Sequence, residues 1–220
     1  MPRGTYLHLE DGTEERFQCA PGPGGWRYVA SRTDGTRVDL VVDARWRQIR
    51  AEIVAPDWWL RGGVAGRETA WVRAGSSRDA TEHTAQASGF LGESPAFAIV
   101  VARYLAEVRP PSSGMEGLPA SGTEDGAGEH HALLDGAAVD VRLVRVSGAA
   151  LATLTESWRW RLASVTRHEA DTGSLPVEQY EVADLATGEV HHVHLAGDVV
   201  LDAPGIELVD LDGPPNFLTS

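Results

Sequence analysis

The stretch Trp26-Arg27-Tyr28-Val29-Ala30-Ser31-Arg32-Thr33-Asp34-Gly35-Thr36-Arg37-Val38-Asp39-Leu40-Val41-Val42 decides the fold class. Its first five residues alternate between large apolar and polar or small side chains. Thr33-Asp34-Gly35-Thr36 supplies turn chemistry, and Val38 to Val42 alternates again before running apolar. Two period-two runs around an Asp-Gly turn predict a β-hairpin. Trp46 to Val54 extends the pattern, with Trp46, Gln48 and Arg50 on one face and Ile49, Ala51 and Ile53 on the other.

The same reading carries downstream. Asp57 to Gly63 is a strand and turn, and Thr69 to Arg73 is another strand. Residues 75–94 are small and polar, a loop or a weak strand. Ser94 to Leu105 is strongly apolar, and its β-branched centre at Ile99, Val100 and Val101 favours a buried strand over a short helix. In the second half, Ala138 to Val146, Leu154 to Val165, Val177 to Val182, Gly188 to Leu195 and Val199 to Leu201 read as strands. Trp158 and Trp160 share one face. Ala149 to Glu156 is the best candidate for a helix. The fold class is therefore all-β, with short strands at the spacing of a sandwich, barrel or roll.

Composition frames this pattern. The chain has 220 residues, enough for one large domain. Residues 1–25 end in the run Pro21-Gly22-Pro23-Gly24-Gly25 and read as a flexible arm carrying one short strand from Thr5 to Leu9. Residues 26–211 form a single β domain. Its halves are 26–108 and 135–211, and a Gly-, Ser- and Pro-rich insertion at 109–134 separates them. Residues 212–220 make a polar tail.

All the basic residues are arginine; the absence of lysine excludes Schiff-base chemistry and a phosphate-loop lysine. The formal charge of −13 repels a nucleic-acid backbone, and the densest basic group, Arg45, Arg47 and Arg50, reads as solvated strand positions. Cys19 is the only cysteine, so no intramolecular disulfide forms. No apolar run reaches membrane-spanning length, and Met1 to Glu10 lacks the pattern of a signal peptide. These features lead us to expect a cytoplasmic protein without integral membrane association. They leave its oligomeric state open.

Three stretches resemble the glycolipid-binding family of bacterial spiral β-roll proteins, whose function is uncharacterised. Val38 to Ile53, with Trp46-Arg47, is similar to that family's early strand pair. Ser94-Pro95-Ala96-Phe97 through Arg103-Tyr104-Leu105 is similar to the strand closing its first half. Gln179-Tyr180 with Gly197-Asp198-Val199-Val200-Leu201-Asp202-Ala203-Pro204-Gly205 is similar to its closing stretch. The family pattern continues its Ser/Thr-Pro segment with an asparagine and a second proline, where this chain has Ala98 and Val100. The resemblance implies a spiral β-roll of two similar halves and a lipid or glycolipid ligand.

Seven tryptophans stand out. Trp46, Trp58, Trp71, Trp158 and Trp160, with Tyr180, either line a groove for an apolar tail or fill the core between the halves. In the first case Arg47 and Arg159, with Arg45 or Arg161, would hold a polar head group. Trp58 and Trp59 are adjacent, so in a strand one of them faces a groove or solvent. His192 and His194 share a strand face and form half of a metal site. His168, His130 or Glu178 would have to complete it. An exposed polar strand face is the alternative.

No cofactor is implied. No Gly-x-Ser-x-Gly elbow occurs, and a carboxylate pair such as Asp39 and Asp43 has no distinguishing spacing. The expected function is non-covalent binding of a hydrophobic or amphipathic small molecule. The alternative is a cofactor-free cyclase, isomerase or hydrolase using Asp, Glu or His as acid and base.

Overall fold

The computed structural model describes residues 1–22, 24–75, 79–108, 132–133, 136–147, 153–170 and 173–217. The insertion from Arg109 to His131, the first part of the Ala149–Glu156 helix candidate and the last three residues lie outside them. The fold is mainly β, as expected, and is consistent with a spiral roll.

Eight strands form an antiparallel meander: β1 (Arg3–His8), β2 (Glu14–Gly22), β3 (Gly25–Arg32), β4 (Arg37–Asp43), β5 (Gln48–Val54), β6 (Trp58–Ala65), β7 (Glu68–Gly75) and β8 (Ala80–Ala85). After β9 (Phe90–Leu91) and the helix α1 (Pro95–Val108) comes β10 (Ala132–Leu133). The second meander is β11 (Val139–Val146), β12 (Thr153–Ala170), β13 (Gly173–Asp184), β14 (Val190–Ala196), β15 (Val199–Ala203) and β16 (Ile206–Asp212). β16 pairs antiparallel with β1, which joins the meanders into one sheet, and β10 pairs with β12.

The winding follows from β9. Only Gln86 to Gly89 separate it from β8, yet β8 and β9 stand at opposite ends of the strand order. β9 pairs parallel with β11, and Ser88 and Gly89 hydrogen-bond the backbone of Arg142 and Val144. So short a link reaches the far edge only if the sheet curls round to bring its two ends near each other.

Three expectations are corrected here. Residues 1–25 are not a loose arm with one strand. They contain β1 and β2, and in β2 Glu15, Phe17 and Cys19 are buried while Glu14, Arg16 and Gln18 are exposed. The Pro/Gly run masked this alternation, because it reads as an ending, whereas Gly22 pairs with Gly25 and the chain continues into β3. Ser94–Leu105 is not a strand but enters α1, which carries buried residues all round: Phe97, Ile99, Val100, Val101, Ala102 and Leu105. The Ser94 backbone carbonyl accepts from the Phe97 N–H, and Pro95 opens the helix. A helix enclosed by a curled sheet needs no polar face, so β-branching was a misleading guide. From Thr153 onward the proposed helix is strand β12.

Ile49 is displaced as well. Val41 pairs with Arg50 and Val42 with Gln48, so Ile49 is the extra residue of a β-bulge and faces solvent. The bulge turns Gln48 inward. There its side-chain amide exchanges both hydrogen bonds with the Phe90 backbone, at 2.9 and 2.8 Å. This ties β5 to β9 across the roll.

The interior of the first meander is an aromatic stack. Tyr6 and Phe17 lie 4.6 Å apart, Phe17 and Tyr28 5.6 Å, and Trp26 packs on both Tyr28 and Trp46. Where the halves meet, Asp198 in the β14–β15 turn is fully buried. It accepts from the Trp26 indole at 2.9 Å, from the backbone and side chain of Asn216 at 2.7 and 2.8 Å, and from the Cys19 thiol. Gly197 before it has φ +55°, and a Cβ there would stand 2.4 Å from the Asn216 carbonyl oxygen.

Candidate functional site

One end of the roll gathers turns from both meanders. The β1–β2, β3–β4, β5–β6 and β15–β16 turns meet the residues before α1 around a cavity of about 970 Å³. Ile53, Trp58, Phe97, Val146 and Ile206 form its apolar wall. Its polar lining is mostly acidic, with Glu10, Asp11, Asp34, Asp57 and Glu93 against Arg32 as the one arginine.

Arg32 organises this rim. Its side chain is nearly buried. It donates to Asp11 at 2.8 Å, to Thr13 at 2.7 Å and to Glu93 at 2.9 Å, with Asp34 at 3.7 Å. One guanidinium thus links two turns to the α1 approach, a task suited to its fixed fork of donors. Burial raises the Asp11 carboxyl, but hydrogen bonds from Thr13 and the charge of Arg32 outweigh it and hold the group below its ordinary value.

Beneath the rim lies a buried carboxylate. Glu15 has no solvent exposure. Its Oε1 accepts from the Tyr28 hydroxyl at 2.7 Å and from the Ser94 hydroxyl at 2.6 Å. Its Oε2 lies 3.0 Å from Nε2 of His8. His8 and Ser94 line the cavity, so the cluster reaches the ligand space through them. Burial and the neighbouring Glu15 charge push the Tyr28 hydroxyl well above the ordinary phenol value.

Sequence reasoning passed over this cluster. Its signal was phase: Glu15 alternates in step with Phe17 and Cys19, and His8 with Tyr6. A polar residue in phase with a strand's apolar face points inward.

The residues singled out from sequence are not gathered at this cavity. Trp58, half-buried, lines the cavity. Trp46 is buried against Trp26 in the β4–β5 turn, with φ +59°. Trp71 is buried between His83 and Phe90. Trp158 and Trp160 are buried on β12, and Trp160 meets Tyr180 edge-on at 6.0 Å. The indole N–H groups of Trp71, Trp158 and Trp160 have no acceptor among the described residues. Trp59 is exposed, as one of the adjacent pair had to be.

Arg47 is bound to Asp43 in its own turn, and Arg159 pairs with Asp140 at 2.7 and 2.9 Å on an exposed face. Arg161 pairs with Glu181. Trp46-Arg47 and Trp158-Arg159 are not equivalent, since one sits in a turn and the other within a strand. Asp39 and Asp43 both serve arginines.

His192 and His194 share a face of β14, but they turn to different partners, Gln179 and Asp202. Glu178 pairs with Arg103, and His130 lies outside the described residues. Among the described residues no group of three His, Cys, Asp or Glu side chains is placed to hold a metal ion, and no helix is long and apolar enough to cross a membrane.

No protein-family model matches the chain, and no curated protein matches its sequence. Among solved structures it is similar to the crystal structure of a DUF1089 family protein from Pseudomonas aeruginosa. The identity is 16% and the TM-score 0.45, over 93% of this chain and 91% of that one.

Proposed function

We propose that this chain binds a small, uncharged amphipathic molecule of the lipid or glycolipid class in the cavity at the end of the roll. The observation that carries the reading is the pairing of an apolar wall with a rim rich in carboxylates. Ile53, Trp58, Phe97, Val146 and Ile206 would take the tail, at about 25 cal/mol for each Å² removed from water. Sugar hydroxyls donate hydrogen bonds readily to carboxylates such as Asp34 and Asp57, whereas an anionic head group would be repelled. This differs from the expected Trp/Arg groove. Trp58 alone of those residues lines the cavity, and the polar end is met by acids.

Binding of the uncharged fluorophore N-phenyl-1-naphthylamine tests the reading. One equivalent should bind. Octyl glucoside below its micelle concentration should displace it, and an alkyl sulfate of equal length should not. Ala55, in the β5–β6 turn, lines the cavity without a buried side chain. Ala55→Trp should fill the space and weaken binding at least tenfold while leaving thermal unfolding unchanged. Equal affinity in Ala55→Trp and the parent would overturn this site. Native mass spectra followed by solvent extraction would identify any ligand carried through purification.

A further inference from the structure

The Glu15 cluster has a polarity that ligand binding does not require. Oε1 of Glu15 already accepts two hydroxyl protons, from Tyr28 and Ser94. Oε2 faces His8 Nε2 and no other hydrogen-bonding partner among the described residues. A carboxylate so placed favours the His8 tautomer with its proton on Nε2, because that nitrogen then donates to the charge. The other ring nitrogen, Nδ1, has no hydrogen-bond partner among the described residues, and His8 is one of the residues lining the cavity. A carboxylate that orients an imidazole and leaves its second nitrogen without a partner, beside a ligand space, is the arrangement of a general base.

We propose that His8 is a proton-abstracting base acting on the molecule held in the cavity, with Glu15 as its positioning residue. The inference rests on the binding reading above for its substrate class. The acidic rim disfavours anions, so the substrate is an uncharged amphipathic molecule with a C–H bond acidified by a neighbouring carbonyl or imine group. The reaction class is isomerisation or elimination. In the step itself the C–H bond breaks, its proton goes to Nδ1, and its electron pair enters the substrate. The imidazolium formed is stabilised by the Glu15 carboxylate. In an isomerisation it then returns the proton to another atom of the substrate; in an elimination the electron pair forms the new π bond and expels the leaving group, which takes up the proton.

Tyr28 and Ser94 fix the carboxylate and do not touch the substrate's reacting atoms in this scheme. The titratable and charged groups facing His8 are Glu15 from β2, Asp11 from the β1–β2 turn, and Arg32 from β3 through its contact with Asp11. Tyr28 lies behind Glu15.

The probe is 5-nitrobenzisoxazole, a neutral ring whose opening needs only a base. Loss of its C–H proton forms the nitrile while the N–O bond breaks to give a phenolate. The full chain should accelerate this opening, and His8→Gln should lower the rate about 100-fold. The wild-type rate should rise with pH along one sigmoid, which His8→Gln abolishes. Glu15→Gln should change that profile as well as the rate, a result a merely structural role would not produce.

Ring-nitrogen NMR of the wild-type protein provides a second reading that needs no variant. At a pH where the rate has reached its plateau, it should show the proton on Nε2 and a bare Nδ1. Equal rates in wild type and His8→Gln, or an Nδ1–H tautomer, would overturn the base. N-phenyl-1-naphthylamine binding separates the two proposals: binding retained in a protein without rate refutes the base alone. A His8-dependent rate in a protein that does not bind the fluorophore refutes the ligand reading and leaves the base standing.

Discussion

Glu15 and Asp198 are two carboxylates with no solvent exposure, and the residues around them differ in kind. Asp198 meets an indole N–H, a backbone N–H, a side-chain amide and a thiol. The nitrogen groups can only donate in this geometry. Glu15 meets two hydroxyls and an imidazole, all of which can donate or accept. The first site is locked in one protonation pattern and joins β2, β3 and the residues after β16. The second can redistribute a proton without moving an atom far, and it borders a cavity. Burial alone therefore does not separate the two carboxylates; the exchangeability of their partners does.

The largest effect should come from substitutions that retain shape and change hydrogen-bonding capacity. Asp198→Asn sets an amide NH2 against the fixed donors of Trp26 and Asn216, leaving buried donors without acceptors. It should cost about 3 kcal/mol. In Glu15→Gln the Tyr28 and Ser94 hydroxyls can rotate and His8 can change tautomer, so the cost should be about 1 kcal/mol. Urea unfolding measures both. Equal costs would break the distinction between locked and exchangeable partners.

Alkali should probe both sites through their tyrosines. Tyr28 donates to Glu15, and the Tyr6 hydroxyl accepts from the Val200 backbone two residues beyond Asp198. Burial raises both phenols well above the ordinary value, with nearby negative charge adding to it. A raised phenol stabilises the fold fully below the unfolded value of about 10, and the contribution is lost as pH climbs past it. The unfolding temperature should thus hold to about pH 10 and then fall steeply. Tyr28→Phe should fall less steeply. An unchanged slope would assign the alkaline loss to the Asp198 side.

How much of this was legible in the sequence depends on where the information is stored. Strand periodicity is local, so the segments around the Asp34-Gly35 turn and Trp158-Trp160 read correctly. The bulge at Ile49 was not legible, because it is set by the pairing of Val42 with Gln48. α1 was misread because a helix enclosed by a curled sheet loses the polar stripe that normally identifies it. Its Ser94-Pro95 start was present and outweighed by Ile99, Val100 and Val101. The candidate site was the least legible part. His8, Glu15, Tyr28 and Ser94 come from three strands and the helix approach, and only winding the sheet brings Ser94 to Glu15. The arginines pointed elsewhere because an exposed Arg–Asp pair on a strand looks the same in sequence as an arginine waiting for a ligand.

Asp39 supplies the smallest effect and the sharpest control. Like Asp198 it is held by obligate donors, here the guanidinium groups of Arg27 and Arg50, but these face solvent. Partial burial raises its carboxyl, and the hydrogen bonds from Arg27 and Arg50 more than reverse this, leaving it below the ordinary value. Such a group contributes stability above the unfolded value of about 4, and the contribution disappears as pH falls through the lower folded value. Asp39→Asn should therefore cost less than about 1 kcal/mol at neutral pH, since water can replace the lost acceptor and screens the pair. The difference from wild type should shrink towards zero in acid, below about pH 3. If Asp39→Asn instead matched Asp198→Asn, donor type alone would set the cost. A small cost would show that locked donors matter only where water cannot reach them.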